Sequence, residues 1–263
     1  MSARMPVVFV SHGAPDALLK SRGAVDAWRE IGRRLPPPQA ILAVSAHWQA
    51  RTAQLSLAGA PTTMHDFQGF APELYRLHYP APGAPALAER AAAMLSAAGH
   101  AVGLHPNRGL DHGAWVPLTA MFPQANLPVT QLSLTRADAA THCALGRALS
   151  PLRDAGVLIL ASGAITHNFA WLDFAASDDA PPQPQAKRFA DWVGARLAAR
   201  DVAAIANYRA APDGAASHPS EEHFLPLLVA LGAADAVENS APQRYAPDFA
   251  YRGLAMDAYV WSA

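Results

Sequence analysis

Short apolar runs alternate along the chain with longer segments of helical periodicity. Pro6–Val10, Ile41–Ser45, Val129–Leu134 and Val157–Ser162 read as strands, and Thr52–Leu57 as a weaker one. Helices are predicted over Ala24–Arg34, closed by Pro36–Pro38, and over Pro85–Ala98, with Gly99 as its C-terminal stop. Further helices are predicted over Pro117–Phe122, over Ala137–Asp154 with Pro151 awkward near its end, and over Pro184–Arg200. The last covers Glu221–Leu231, with a kink at Pro226. Strands alternating with helices predict an α/β fold with a central, largely parallel sheet flanked by helices. The Pro- and Ala-rich stretch Ala175–Pro184 reads as a loop within a single domain, 1–263.

That architecture gives the histidines a meaning. Ligands of open α/β sheets bind beyond the carboxyl ends of the strands. Of 11 histidines, three share one grammar: an apolar strand, a few small residues, then His. His12 follows VVFVS, His47 follows ILAVSA and His167 follows VLILASGAIT. His112 sits in a turn-like segment, RGLDHGAW, ahead of a short helix. A lone histidine after a strand is ordinarily a hydrogen-bonded structural residue. Three in one grammar point instead to a shared metal or acid/base site at the strand C-terminal ends. Imidazole suits zinc, iron, copper and nickel alike, so the ligands do not choose the metal.

A further cluster is His218–Leu227. Ser220 is placed to cap a helix, with Glu221 and Glu222 in its first turn. His223 then lies on that turn, either facing a cleft or as a polar surface residue. His65 and His78 flank an aromatic segment that reads as a substrate-proximal loop or a packing lid. Trp48 and Trp115 read equally as an aromatic wall or as core. His100, His105 and His142 read as surface or loop residues.

Composition narrows the function classes. A hydrophobic fraction of 51% against 16% charged residues excludes a disordered chain. The net charge of −1, with no basic block, argues against nucleic-acid binding. The single cysteine, Cys143, rules out an internal disulfide or a multi-thiolate zinc site, and reads as a small core residue. With no apolar stretch of about 20 residues and no signal-peptide pattern at the start, no membrane association and a cytoplasmic location are expected.

Six segments carry a resemblance: FVSHGAP (Phe9–Pro15), LAVSAHW (Leu42–Trp48), HDFQGFAPELYRLHYPAPG (His65–Gly83), GLDHGAWVPL (Gly109–Leu118), LASGAITHNF (Leu160–Phe169) and HPSEEHFLPLLVALGA (His218–Ala233). In this order the chain resembles the class III extradiol ring-cleavage dioxygenases, in their DOPA 4,5-dioxygenase branch. The resemblance implies a metal site using His12 and His47, with His167 and His223 at that site. In the related protocatechuate-cleaving enzymes the third iron ligand is a glutamate. There the histidine matching His167 is a general acid/base, and the one matching His112 assists near the substrate. His223 is therefore the expected ligand with Glu222 as the alternative, and His167 is either a fourth ligand or an acid/base. The implied cofactor is Fe(II), with Zn(II) able to occupy the site in purified protein. The implied partners are a catechol, such as DOPA, and O2. Arg108, beside the GLDHG turn, is the candidate for a substrate carboxylate, ahead of Arg76 and Arg252. Trp48 and His65 are candidate substrate contacts. The histidine grammar alone would equally serve a zinc hydrolase of an amide or ester, or a non-enzymatic binding protein on the same scaffold. A homo-oligomer stays open.

Overall fold

The computed structural model describes residues 4–177, 180–234, 241–245 and 248–262. Its strands are β1 Val7–Ser11, β2 Ala40–Gln49, β3 Ala53–Ser56, β4 Val102–His105, β5 Val129–Leu134, β6 Val157–Gly163, β7 Gln243–Tyr245, β8 Phe249–Ala250, β9 Leu254–Ala255 and β10 Ala258–Trp261. Its α-helices are α1 Ala17–Lys20, α2 Arg22–Arg34, α3 Pro85–Ala97, α4 His112–Met121, α5 Ala139–Leu149, α6 Pro184–Ala198, α7 Val202–Ala206, α8 Gly214–Ser217 and α9 Leu225–Ala233.

Eight strands form one sheet in the order β4-β3-β5-β2-β6-β1-β10-β7. Its centre, β5-β2-β6-β1, is parallel throughout. Every residue of β1, β5 and β6 is buried, as a parallel sheet covered on both faces requires. The pleat splits each strand between two cores. Val7 and Phe9 of β1 pack on one face with helices α3, α5, α6 and α9. Val8 and Val10 pack on the other with α2 and α4.

The predicted strands and helices are all present, with corrections at their ends. β2 runs on to Gln49, which carries His47 into the strand itself. Helix α4 begins at His112 rather than Pro117, because Asp111 caps it by accepting from the Ala114 N–H; Pro117 lies inside the helix. Helix α5 ends at Leu149, and Pro151 lies in the 3-10 segment that follows. Pro226 falls in the first turn of α9, where a missing N–H costs nothing, so it causes no kink. Ser220 caps no helix; its hydroxyl donates to Glu222, and His223 stands ahead of α9.

Two other expectations change. His142 is buried in α5, with Nδ1 against the Asp138 carbonyl, rather than on the surface. His105 belongs to β4, a strand too short and too polar to announce itself. The C-terminal strands β7 and β10, which extend the sheet antiparallel beside β1, were likewise not predicted. Cys143 is buried, and burial pushes its thiol up to about 11. The expected loop Ala175–Pro184 carries no regular element before α6 begins; residues 178 and 179 lie outside the described ones. No helix among the described residues is long and apolar enough to cross a membrane.

Candidate active site

Where β1, β2 and β6 end together, the chain brings five histidines into contact. His12 follows β1, His47 lies near the end of β2, and His167 follows β6. His112 opens α4, and His223 precedes α9. His12, His47 and His223 each offer one ring nitrogen, all within 4.8 Å of one another. The backbone permits this only because residue 163 is glycine. A Cβ built there would lie 2.1 Å from the His223 carbonyl oxygen. That carbonyl accepts from the Ala164 N–H at 2.8 Å, so the His223 segment rests directly on the end of β6.

The Nδ1 atoms are engaged from outside the cluster. Nδ1 of His12 lies 2.9 Å from Oγ of Ser162. The Ser162 hydroxyl donates to the Gly113 carbonyl at 2.5 Å. Pro117, four residues further along α4, has no N–H to offer that carbonyl, which leaves it for Ser162. With its proton committed there, Ser162 can only accept, so His12 carries its proton on Nδ1. Nδ1 of His223 lies 3.0 Å from a Glu222 carboxylate oxygen, an acceptor only, and the same assignment follows. Nδ1 of His47 faces a carboxylate oxygen of Asp66 at 3.9 Å.

Each Nε2 is then left with its lone pair turned inward. The Nε2 atoms of His12 and His47 are 3.0 Å apart, and that of His223 is buried with no hydrogen-bond partner. Burial, then repulsion from His47 and His112, holds His12 well below the usual imidazole range. Burial, then His167 and His47, does the same to His223. His47 is lowered to about 3, first by burial and then by His112. Three neutral imidazoles with converging lone pairs are the donor set of a cation, and these residues fit a metal ion.

The other predicted site residues fall as follows. His167 stacks on His223, ring centroids 3.5 Å apart and 9° from parallel. It groups with Glu222 and His223, but not with the His12, His47 and His223 nitrogens. Burial lowers its pKa, opposed by the charge of Glu222. Glu222 meets His223 at Nδ1, behind the ring rather than at its inward nitrogen. His112 packs on His47 at 3.9 Å between ring centroids.

His65 donates from Nε2 to the Leu77 carbonyl and belongs to an aromatic cluster with Tyr75, His78 and Trp115. Phe67 links that cluster to the edge of His112. Trp48 packs against His105 and Arg108 and, one residue after His47 in β2, points to the opposite face of the strand. Nη2 of Arg108 donates to the His47 carbonyl at 3.2 Å and faces Asp111 at 3.4 Å. Trp48 and Arg108 thus buttress the end of β2 instead of facing the histidine cluster.

Asp66 was not singled out from the sequence. It stands in the HDF segment that drew attention through His65 and its aromatics, and nothing local marks it. Its partner, His112, is 46 positions away. Phe169 was missed as well; it is 70% exposed and meets His167 edge-on at 5.1 Å.

Comparison with known proteins agrees with this geometry. Residues 5–253 match the family described as the catalytic LigB subunit of aromatic ring-opening dioxygenase. The chain is 40% identical over 242 residues to the 4,5-DOPA dioxygenase extradiol of Escherichia coli (strain K12), covering 90% of this chain and 88% of that protein. It is also 40% identical over 246 residues to the protein of the same name from Beta vulgaris, covering 88% and 87%. The crystal structure of an uncharacterized Escherichia coli K12 protein superposes with a TM-score of 0.80 at 34% identity, covering 98% of this chain and 100% of that one. A buried nest of strand-end histidines, a family match over nearly the whole length and relatives this close lead to one conclusion: the chain belongs to the LigB family of aromatic ring-opening dioxygenases, in the branch of the extradiol 4,5-DOPA dioxygenases.

Proposed function

We propose that this dioxygenase opens the ring of a 3,4-dihydroxyphenyl compound such as DOPA, using O2 and Fe(II). The observation that carries the reading is the convergence of three imidazoles, two buried and His47 half-buried, beside two further histidines and a wall of aromatic rings. His12, His47 and His223 would hold the iron, which supplies adjacent positions for a diol and dioxygen and a path for electrons between them. The same nitrogen set accepts zinc, so Zn(II) is expected in protein purified without added iron.

His167 is the acid/base in this reading. Burial keeps it neutral near pH 7, so its free ring nitrogen can take a proton from a catechol hydroxyl and return it to the product. Its flat stack on His223 argues for this role over that of a fourth ligand, because two imidazoles lying face to face cannot both aim a lone pair at one ion. His112 supplies a second hydrogen-bonding nitrogen across the site. Phe67 beside His112 and Phe169 beside His167 flank the cluster and offer apolar surface to a planar ring. Arg108 is left out of this reading because its Nη2 is turned to the His47 carbonyl and Asp111.

The test is Fe(II) reconstitution without oxygen, followed by aerated assays on a panel of catechols. A yellow ring-opened product from a 3,4-dihydroxyphenyl substrate, with none from the zinc-loaded protein, is the expected result. A protein that turns over no catechol refutes the reading. Oxygen-independent hydrolysis by the zinc form would replace it with the hydrolase alternative.

A further inference from the structure

We infer that Asp66 is a positioning residue that fixes two histidines of the site at once: the metal-binding face of His47 and the substrate-facing nitrogen of His112. The inference deepens the proposed function and rests on its assignment of His47 as a ligand.

The two carboxylate oxygens divide the work. Oδ1 lies 3.0 Å from Nδ1 of His112 and accepts from the His112 backbone N–H, also at 3.0 Å. Oδ2 faces Nδ1 of His47 at 3.9 Å. The Asp66 side chain is 20% exposed, so the pairs are partly shielded from water. Oδ1 already accepts the His112 backbone N–H, and an aspartate carboxylate is ordinarily ionised near neutral pH. An ionised carboxylate can only accept. Nδ1 of His112 must therefore carry a proton in either charge state, and in the neutral ring Nε2 keeps its lone pair. His47 is biased the same way, because a lone pair on Nδ1 would face a negative oxygen. That bias leaves Nε2 of His47 unprotonated beside Nε2 of His12.

The arrangement completes a pattern. Ser162 backs His12, Glu222 backs His223, and Asp66 backs His47. Groups that orient a ligating imidazole typically change metal affinity by about 10–100-fold when lost. Asp66 differs from the other two in also holding His112, which in this reading touches substrate rather than metal. One side chain thus sets the spacing of His47 and His112, whose ring centroids lie 3.9 Å apart.

The near-isosteric Asp66→Asn is the variant to make, with Asp66→Glu beside it and circular dichroism as the check on folding. Zinc-loaded protein with 15N-labelled histidine reports each ring's tautomer by NMR with no catechol present, which separates this inference from the choice of substrate. The wild type is expected to show His112 protonated on Nδ1. In Asp66→Asn that state gives way to a mixture, while metal stoichiometry holds and affinity falls about 10–100-fold. With the metal saturating, kcat falls and KM stays within about threefold, as loss of orientation rather than binding predicts. Asp66→Glu, which keeps the charge, recovers part of both losses. In a His112→Ala background, Asp66→Asn still weakens metal binding but costs no further kcat. An unchanged tautomer with unchanged affinity overturns the inference. So does complete loss of stoichiometric metal in Asp66→Asn, which would make Asp66 a ligand.

Discussion

At the scale of single residues, the chemistry of the site depends on which nitrogen of each imidazole carries a proton. For His12 that choice runs through Pro117, whose missing N–H leaves the Gly113 carbonyl to Ser162. No inspection of the sequence could have traced such a chain, since its members come from β1, α4 and β6. The histidines themselves were legible, because residue type and position after a strand suffice to suggest convergence. The sequence favoured His223 over Glu222 only through a resemblance, because the two are adjacent and both can ligate; the hydrogen bond from Nδ1 of His223 to Glu222, behind the ring, supports His223 as the proposed ligand. His12→Ala, His47→Ala and His223→Ala should each abolish stoichiometric metal, measured by elemental analysis after dialysis. His167→Ala should keep its metal and lose rate by a factor on the order of 10²–10⁴, the usual worth of a positioned acid/base. Metal loss in His167→Ala equal to that in His12→Ala would make His167 a ligand instead.

At the scale of elements, the site rests on how closely α9 approaches the sheet and α5. The seam between α5 and α9 is built on two glycines. A Cβ at Gly232 would lie 1.9 Å from the Cys143 carbonyl oxygen, and one at Gly146 would lie 2.0 Å from that of Val229. These are backbone atoms that cannot rotate away, so a methyl group must push the helices apart. Gly232→Ala is expected to lower stability by roughly 1–3 kcal/mol, the cost of overpacking, and the melting temperature by several degrees. Because His223 immediately precedes α9, the same variant should also bind metal more weakly. A melting curve identical to wild type would show that the helices have room to give. Gly232 in HFLPLLVALGA and Gly146 in α5 were visible in the sequence but silent, since nothing local says which neighbour presses on them. The apolar run was readable as a helix; its start was not, because the segment from Ser220 to Phe224 uses its polar groups for the site rather than for a cap.

At the scale of the whole molecule, topology does what the alternation of strands and helices predicts. Parallel β1, β2 and β6 lie side by side, so their carboxyl ends open on one place, and His12, His47 and His167 meet there. The parallel centre was legible because its strands are apolar throughout. The edges were not: β4 and β7 are short, partly exposed and without alternation, and their pairing is decided by neighbours distant in the chain. That fold and that cluster agree with membership of a ring-opening dioxygenase family. In the proposed function, this three-histidine centre inserts dioxygen into a catechol ring. The most direct test is a single turnover of Fe(II)-loaded protein with a 3,4-dihydroxyphenyl substrate under isotopically labelled dioxygen, with the product analysed by mass spectrometry. The expected result is a ring-opened product carrying both labelled oxygen atoms, formed by the wild type and absent with His12→Ala. A product with its ring intact, or an opened one without label from dioxygen, would contradict it.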